Sequence, residues 1–447
     1  MNPSNFGGAF LSANLTVSQM CGTDQNGARN SGVPVRTLAK AKQLAQSGDT
    51  ILVIDGTFTE NDLAKHGVHW HFLPGAIVQY TDPGSGNGYG IFDDRAAAAS
   101  YRVTGKGTFK YTLPTLNVNN KGGIVITNAA SRVHFQCARI EIGYGFGAGT
   151  QAAFSIDDCA LVHLDVDEII DLDYANVGET SPAMSGIYWK DGDVRGRVGY
   201  MQVAQYCLYS QEPAGSPTAS IFMRGEYWES AGNAFYQNLT AASNSNYRTW
   251  LEVQEIKGAT CIGVYGGRCY VTSQKLSSTA GNAVDMSASG ELWLNAQKIS
   301  HNAIGINTIA GWTGKLYGNV LHFEDIGAAT DHCKFAGTGT VYLSGEVMVL
   351  TAGQCVEVVG AGSWNIRGYR MEVTTNAAAN DTILLGATSS GLVLNNCVLV
   401  CGAAAQSIEL AAARTITNYG SVAKRAVSVA FALTTNVQAI LVDANVV

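Results

Sequence analysis

Two carboxylates in the acidic stretch 157–193 are spaced for chemistry. Asp165 and Asp167 alternate with Leu164 and Val166, so a strand that buries the apolar pair carries both acids on its outer face. Such a pair can act as acid and base on a glycosidic bond, or it can bind calcium. A third interpretation is a solvated acidic edge, because runs of charge commonly face water.

Three tyrosines predict a binding surface near these acids. Tyr188, Tyr209 and Tyr236 occupy the same position in successive copies of a repeated motif, and Trp189 and Trp228 lie close by in the sequence. Tyrosines stacked one strand apart, about 5 Å, would form a ladder, and aromatic rings suit sugars through apolar contact and edge hydroxyls. The alternative is that the ladder packs against a neighbouring subunit, since Tyr is enriched in interfaces.

If the protein also cleaves a glycan, acid and base must lie beside this ladder. The candidates are the acidic residues on adjacent repeats, and two of them should share the roles: Asp165, Asp167, Glu226 and Glu229.

No metal site is predicted from the histidines. His69 and His71 share a strand face, but no third ligand follows at a suitable spacing, and a protein metal site needs three or four. No cofactor is therefore expected, and calcium at the acidic stretch is the one ion left open.

The element that must position these residues is a short repeat. A motif of small residue, apolar, any residue, apolar recurs at intervals of roughly 20 to 33 residues, the spacing of stacked supersecondary units. The apolar residue that follows the small one is Ile124, Phe154, Ile187, Leu208, Phe235, Ile262, Val284 and Ile304. The first six of these residues are predicted to stack in one inward column, because so short a unit can bury its apolar face only against copies of itself.

A second stripe lies between the copies, as in Leu292-Trp293-Leu294 and Val341-Tyr342-Leu343. Both stripes alternate with period two, which is typical of strands. Short strands joined by Gly, Asn and Ser turns, at about 25 residues per turn, predict an all-β fold, a single-stranded parallel β-helix of about a dozen coils. Residues 33–46 predict a helix that covers the first coil.

The opening of the chain resembles pectate-lyase-like right-handed β-helix proteins. The resemblance rests on the predicted helix, on Gly48-Asp49-Thr50-Ile51, on Asp55-Gly56-Thr57-Phe58 and on His69-Trp70-His71-Phe72-Leu73-Pro74-Gly75. It implies a right-handed coil and, for the bacteriophage tailspike and tail-fibre branch, a homotrimer that binds and often cuts bacterial surface polysaccharide. The motifs of pectinase-type glycosidases are missing, except for paired aspartates, so that activity is not expected.

The composition of the chain limits which binding partners and which cellular compartment are expected. A net charge of −7 gives no basic stripe for nucleic acid, and no apolar run is long enough to span a membrane. The start of the chain lacks the features of a signal peptide, and Cys207, Cys261 and Cys355 fall in the small-residue column, as in a reducing compartment. We therefore expect synthesis in a host cytoplasm and a final location in a virion, with other tail proteins as further candidate partners.

Four regions are predicted. Residues 1–32 are a candidate attachment arm, 33–80 the capping helix and first coils, 81–420 the β-helix, and 421–447 C-terminal strands that close the last coil or contact another subunit. Two functions fit this organisation. One is a virion protein that binds host glycan, with or without depolymerase activity; the other is a structural fibre or decoration protein that assembles through the sides of the β-helix.

Overall fold

The chain is a parallel β-helix, as the two stripes predict. The computed structural model describes residues 13–25, 29–81, 90–113, 122–144, 151–172, 174, 184–211, 219–239, 247–327, 331–375, 380–386, 388–389, 391–401, 408–410, 416–423 and 441–442. They fall in two compact units, residues up to 209 with 218–224, and residues 210–217 with 225 onward. Neighbouring strands pair in parallel in both units.

Each coil combines one short strand with one long strand, or with two shorter strands in its place. In the first unit the short strands are β5 (Phe92–Asp93), β8 (Gly122–Ile126), β10 (Gln151–Ile156), β12 (Met184–Trp189) and β14 (Tyr206–Gln211). The others are β1 (Leu15–Ser18), β2 (Thr50–Thr59), β3 (His69–Phe72), β4 (Ala76–Thr81), β6 (Tyr101–Gly105), β7 (Thr108–Leu113), β9 (Arg132–Tyr144), β11 (Leu161–Asp171), β13 (Asp193–Val203) and β15 (Ala219–Ser230). The unit boundary falls within β14 and β15.

The second unit repeats this arrangement. Its short strands are β16 (Asn233–Asn238), β18 (Thr260–Val264), β20 (Val284–Met286), β22 (Ile304–Thr308), β24 (Asp331–Phe335), β26 (Gln354–Val358), β29 (Ile383–Leu385) and β32 (Ile408–Leu410). The others are β17 (Tyr247–Gly258), β19 (Arg268–Ser278), β21 (Glu291–His301), β23 (Lys315–Asp325), β25 (Thr340–Leu350), β27 (Ser363–Arg367), β28 (Arg370–Val373), β30 (Leu392–Asn395), β31 (Val398–Val400), β33 (Ile416–Tyr419), β34 (Val422–Ala423) and β35 (Leu441–Val442).

The short strands number 13 among the described residues, which confirms the expectation of about a dozen coils. A long strand serves two faces of its coil. The first half of β25 pairs with β27 and its second half with β28, so one continuous strand is followed by two separate ones in the next coil.

The predicted inward column is confirmed within each unit. In the first unit Ile124 pairs with Phe154, and Phe154 with Ile187. In the second unit the column continues through residues that are fully buried: Phe235, Ile262, Val284, Ile306, Cys333, Val356, Ile383 and Ile408. Leu208 is also fully buried.

Ile304, the last residue of the motif series, does not lie in this column. Val284 pairs with Ile306, not with Ile304. Ile304 instead pairs with Asp331 at the start of the strand and is only half-buried. The motif alone could not separate the two isoleucines, because residues two apart on a strand point to the same side.

The N-terminal helix and the first rung occupy the start of the first unit. The helix α1 spans Leu38–Leu44, shorter than the predicted 33–46 because Ala45 is already extended, and Thr37 caps it by accepting from the Lys40 backbone N–H. Strand β1 pairs with β2, so residues 15–18 of the predicted attachment arm are part of the β-sheet. Residues 1–12 and 26–28 of that arm lie outside the described residues, as do 424–440 and 443–447 of the predicted C-terminal strands.

The sequence also predicts that three cysteines lie in the core as small residues. Cys207, Cys261 and Cys355 are fully buried, which confirms that they act as small core residues, and all ten thiols of the chain are free. Among the described residues, no helix has the length and apolar character that crossing a membrane would demand.

Candidate functional site

Five aromatic side chains form a ladder on the outer face of the second unit. The strand register places Trp250 beside Tyr270, Tyr270 beside Trp293, Trp293 beside Tyr317 and Tyr317 beside Tyr342. Their ring centroids are 5.3, 4.6, 5.4 and 5.3 Å apart, and successive planes are tilted by only 6 to 16°. At the usual strand spacing, five rungs extend over roughly 19 Å.

The alternation of the long strands holds this aromatic ladder outside. The residues after Tyr270, Trp293 and Tyr342 are Val271, Leu294 and Leu343, all buried. The rung at Tyr317 is followed by Gly318, where a Cβ would lie 2.7 Å from Leu343 Cδ1. A side chain at 318 would therefore displace the core beneath the ladder.

A polar column runs along one side of the aromatic ladder. Thr272, Asn295, Asn319 and Ser344 occupy the next outward position on successive strands. Asn319 Nδ2 donates to Asn295 Oδ1 at 3.2 Å, and Ser344 Oγ donates to Asn319 Oδ1 at 3.3 Å. The two columns line a groove of about 460 Å³.

Charged side chains border the other side. Arg268 Nε lies 3.1 Å from Glu291 Oε2, and Lys315 Nζ lies 3.5 Å from Glu291 Oε1. Since these charges are mutually paired, the groove itself is lined mainly by neutral groups.

The chemistry that this surface offers is apolar contact combined with neutral hydrogen bonding. Stacking covers the faces of the inner rings, so the ladder presents ring edges, tyrosine hydroxyls and indole N–H groups. Tyr317 is 36% exposed and Tyr342 46% exposed. The neighbouring amides and hydroxyls both donate and accept hydrogen bonds. A ligand rich in hydroxyl and C–H groups, such as a sugar chain, matches this combination.

The tyrosines predicted from the motif occupy other positions. Tyr188 and Tyr209 contact each other in the first unit with centroids 5.6 Å apart, but Tyr188 is only 5% exposed. Burial raises the pKa of the Tyr188 hydroxyl. Tyr236 belongs to the second unit and contacts Tyr265 at 5.1 Å, while its strand neighbour is Gly263.

The two tryptophans added to that prediction are corrected by the structure. Trp189 and Trp228 are fully buried, so neither ring is accessible to a ligand. Trp189 Nε1 donates to the carbonyl oxygen of Asp191 at 3.1 Å. Gly225 makes room for the Trp228 ring, since a Cβ there would lie 2.2 Å from Trp228 Nε1.

Asp165 and Asp167 do project together from the outer face of β11, with Leu164 and Val166 buried between and beside them. Both are close to cations. Arg197 Nη1 lies 3.9 Å from Asp165 and 3.7 Å from Asp167, and Lys106 forms a further ion pair with Asp167. The pair could bind a cation or hold an acid and a base, but it is already neutralised by basic neighbours.

The other two acids do not form a pair. Glu226 is exposed on β15, whereas Glu229 is 8% exposed and lies 2.6 Å from Lys257 Nζ. The hydrogen bond that Lys257 donates to Glu229 raises the pKa of Lys257. Glu229 thus has a structural partner.

His69 and His71 share a face of β3, as predicted, and both interact with one hydroxyl. His69 Nε2 lies 2.6 Å from Thr104 Oγ1, and His71 Nδ1 lies 2.9 Å from the same atom. In the described part of the chain, no three His, Cys, Asp or Glu side chains are grouped so that they could hold a metal ion.

The aromatic ladder was missed although its signal was present in the sequence. Trp293 and Tyr342 are the middle residues of the second stripe, between two buried leucines or valines, and Tyr270 and Tyr317 stand at the same place in their own strands. Aligning the middle residues of the second stripe would have revealed four of the five rungs.

Comparison with protein-family models, with curated proteins and with solved structures found no match for this chain.

Proposed function

We propose that this protein binds an extended polysaccharide along the aromatic ladder of its second unit. The observation that carries the proposal is five stacked aromatic rings beside a column of amides and hydroxyls. A regular neutral surface of roughly 19 Å suits a chain of several sugars, because each rung offers the next sugar the same contacts. Tyrosine and tryptophan lose little side-chain entropy on binding, which favours them at such surfaces.

The biological setting belongs to the same proposal. The resemblance of residues 33–80 to phage β-helix proteins supports a virion-associated tailspike or tail fibre, with bacterial surface polysaccharide as the ligand and a homotrimer as the assembly. Tail or capsid genes beside the gene for this chain would support that setting. Sedimentation equilibrium at micromolar concentration would test the trimer, and a stable monomer would count against it.

Binding is tested by removing rungs from the ladder. Trp293→Ala and Tyr317→Ala are each expected to weaken binding to capsular or lipopolysaccharide preparations about tenfold, because aromatic contacts contribute about 0.5–1.5 kcal/mol beyond their buried area. The matched control is Tyr419→Ala, which removes another tyrosine of the same unit, 53% exposed and outside the ladder. Unchanged binding in both ladder variants would refute the site.

The same variants test the structural alternative. If the ladder joins subunits, Tyr317→Ala should lower the molar mass seen by sedimentation and leave glycan binding intact.

Depolymerase activity is the finer part of the proposal; its candidates are Asp165 and Asp167, which belong to the first unit and not to the strands of the aromatic ladder. Their support is limited to a shared outer face, at roughly the 6.6 Å separation of alternate residues on a strand. New reducing ends after incubation with polysaccharide would reveal cleavage. Loss of those ends in Asp165→Asn or Asp167→Asn, with binding retained, would assign the roles.

A further inference from the structure

A column of basic side chains lies on the outer face of the first unit. The strand register places His69 beside Arg102, Arg102 beside His134, His134 beside His163, and His163 beside Arg195. Five successive strands, β3, β6, β9, β11 and β13, each contribute one residue. The expectation that the chain has no basic stripe is wrong for this face, because an overall charge does not report how charges are distributed.

The side chains of this basic column are accessible. Arg102, His163 and Arg195 are exposed, and the His134 and His163 rings stack with centroids 5.0 Å apart. Arg132 lies two residues before His134 and is also exposed. Arg102, Arg132, His134 and His163 line a groove of about 400 Å³, and Arg195 lies beside His163 on the adjoining strand.

The arginines of the column have no acidic partner within the residues that the structure describes. No carboxylate there lies within ion-pair distance of Arg102, Arg132 or Arg195. Arg197, two residues further along β13, contrasts with them, since it lies near Asp165 and Asp167. Arg102 and Arg132 line the groove and Arg195 lies beside it, so an anion bound there would meet positive charge from several strands.

We propose that the groove lined by His69, Arg102, Arg132, His134 and His163, together with Arg195 beside it on β13, binds the carboxylate groups of an acidic polysaccharide. This inference does not rest on the proposed function, because the groove and the aromatic ladder belong to different units and offer different chemistry. Arginine can bind a carboxylate through two parallel hydrogen bonds, and an imidazole can donate a third.

The charge density favours an acidic glycan over nucleic acid. Arg102 and Arg195 are three strands apart, roughly 14 Å, with two histidines between them. Duplex DNA carries a charge for about every 1.7 Å, so a groove with so few fixed cations would leave most phosphates unpaired.

The histidines add a dependence on pH. Burial, with Arg102 and neighbouring histidines, lowers the pKa of His69 to about 4, and burial and His163 lower the pKa of His134. The charged and titratable groups that face them come from every adjoining strand: His71 on β3, Arg102 on β6, Arg132 on β9, His163 and Asp165 on β11, and Arg195 and Arg197 on β13. A bound carboxylate favours the protonated imidazole, so affinity should rise as the pH falls from 8 to 5.

The experiment uses oligogalacturonate as the probe and titration calorimetry as the measurement. Arg102→Gln and Arg195→Gln are each expected to weaken binding about tenfold, and the double variant about a hundredfold. Arg36→Gln, which changes an exposed arginine of the same unit outside the column, should bind like the parent. Unchanged thermal unfolding would show that the variants are folded.

The remaining measurements test the contribution of the histidines, the independence from the aromatic ladder and the specificity for carboxylates. A His134→Gln variant should lose part of the gain in affinity between pH 8 and pH 5, because its imidazole lines the groove. Trp293→Ala should leave oligogalacturonate binding at this groove unchanged, which separates this proposal from the previous one. Retained affinity in the arginine double variant would overturn the proposal, as would equal binding of a carboxyl-reduced polymer, of dextran sulfate or of single-stranded DNA.

Discussion

The basic column of the first unit and the aromatic ladder of the second occupy the same place in their coils. His134, His163 and Arg195 are the third residues of β9, β11 and β13, and Tyr270, Trp293, Tyr317 and Tyr342 are the third residues of β19, β21, β23 and β25. The inward neighbours of both sets are alike, mainly Val, Leu and Phe. One repeated position thus carries charge in one unit and stacked rings in the other, while the core beneath is unchanged.

This difference shows that the surface chemistry of a β-helix is set independently of its stability. Residues at inward positions are apolar, stack on apolar residues of the adjacent coils and are fully buried, so they determine whether a coil forms. Outward positions contact only their neighbours in the column and the solvent. A change of residue type there alters what the surface binds at little cost to the coil.

The largest expected effect is on the core that both surfaces share. Phe154→Ala in the first unit and Phe235→Ala in the second should each lower the free energy of unfolding by about 3–5 kcal/mol, because each leaves a cavity in a close-packed column. Urea denaturation followed by circular dichroism measures this loss.

The matched outward control is Tyr317→Ala, whose side chain is 36% exposed. It should cost less than half as much, since only part of its surface is buried. A loss as large as that of Phe235→Ala would show that the aromatic ladder supports the coil, and the separation of surface from stability would fail.

The next effect is a dependence of stability on pH that arises from a pair of buried histidines. In the second unit His301 Nε2 lies 2.6 Å from His332 Nδ1, and both residues are fully buried. Burial lowers the pKa of His301 to about 4 and that of His332 to about 3. Burial and Glu357 raise the pKa of neighbouring Asp331 to about 6.

The pKa shifts of the two histidines and of Asp331 have opposite effects on the free energy of unfolding. Between pH 6 and pH 4 the unfolded chain binds two protons that the folded histidines refuse, while folded Asp331 binds one that the unfolded residue releases. Together these three groups lower the free energy of unfolding by about 3 kcal/mol over that window, at about 1.4 kcal/mol per proton and pH unit. Urea midpoints at pH 7, 6, 5 and 4 measure it.

A His332→Gln variant isolates the histidine contribution, since its stability should fall less steeply over the same range. Ile309→Ala, at a 45% exposed position of the second unit that carries no titratable group, should leave the slope unchanged. Equal slopes for His332→Gln and the parent would contradict the assignment.

A smaller expected effect is that added salt weakens binding at the basic column more than binding at the aromatic ladder. Binding of an acidic glycan at the basic column should weaken about tenfold between 50 and 500 mM NaCl, because exposed charges are screened over a few ångströms at high salt. Binding of a neutral glycan at the aromatic ladder should change by less than about twofold, since its groove is uncharged. Equal salt dependence at both surfaces would break the comparison.

The smallest effect concerns exposed ion pairs beside the basic column. Asp167→Asn removes the partner of Lys106 and Arg197, yet it should change the free energy of unfolding by less than about 1 kcal/mol, as exposed pairs contribute little. Leu164→Ala, at a buried position of the same strand, is the contrasting variant. Thermal unfolding of both proteins compares them directly.

The fold could be predicted from the sequence because its determinants are local. Period-two alternation and the recurring small residue identify strands and their inward residues without knowledge of long-range contacts. The register between strands is less accessible, since loop lengths vary from coil to coil. Ile304 and Ile306 show this, as only the pairing with Val284 decides which isoleucine enters the column.

The candidate sites were harder to predict, because each depends on which outward residues become neighbours. Trp189 follows Tyr188 by one position, and on a strand that step moves a side chain to the opposite face. The basic column joins residues from His69 to Arg195 that no local window contains. Its charges are diluted in a chain with 35 acidic and 28 basic residues, so composition concealed it.

The placement of the tryptophans gives the protein a spectroscopic reporter of its own. Of the seven tryptophans, Trp70, Trp189, Trp228, Trp312 and Trp364 are fully buried, whereas Trp250 and Trp293 are partly exposed and both stand in the aromatic ladder. Tyr270 lies between them, within 5.3 Å of each indole ring, so its excitation energy can pass to either. A soluble quencher should therefore reach the emission of these two indoles first, and a glycan that covers the ladder should shield it.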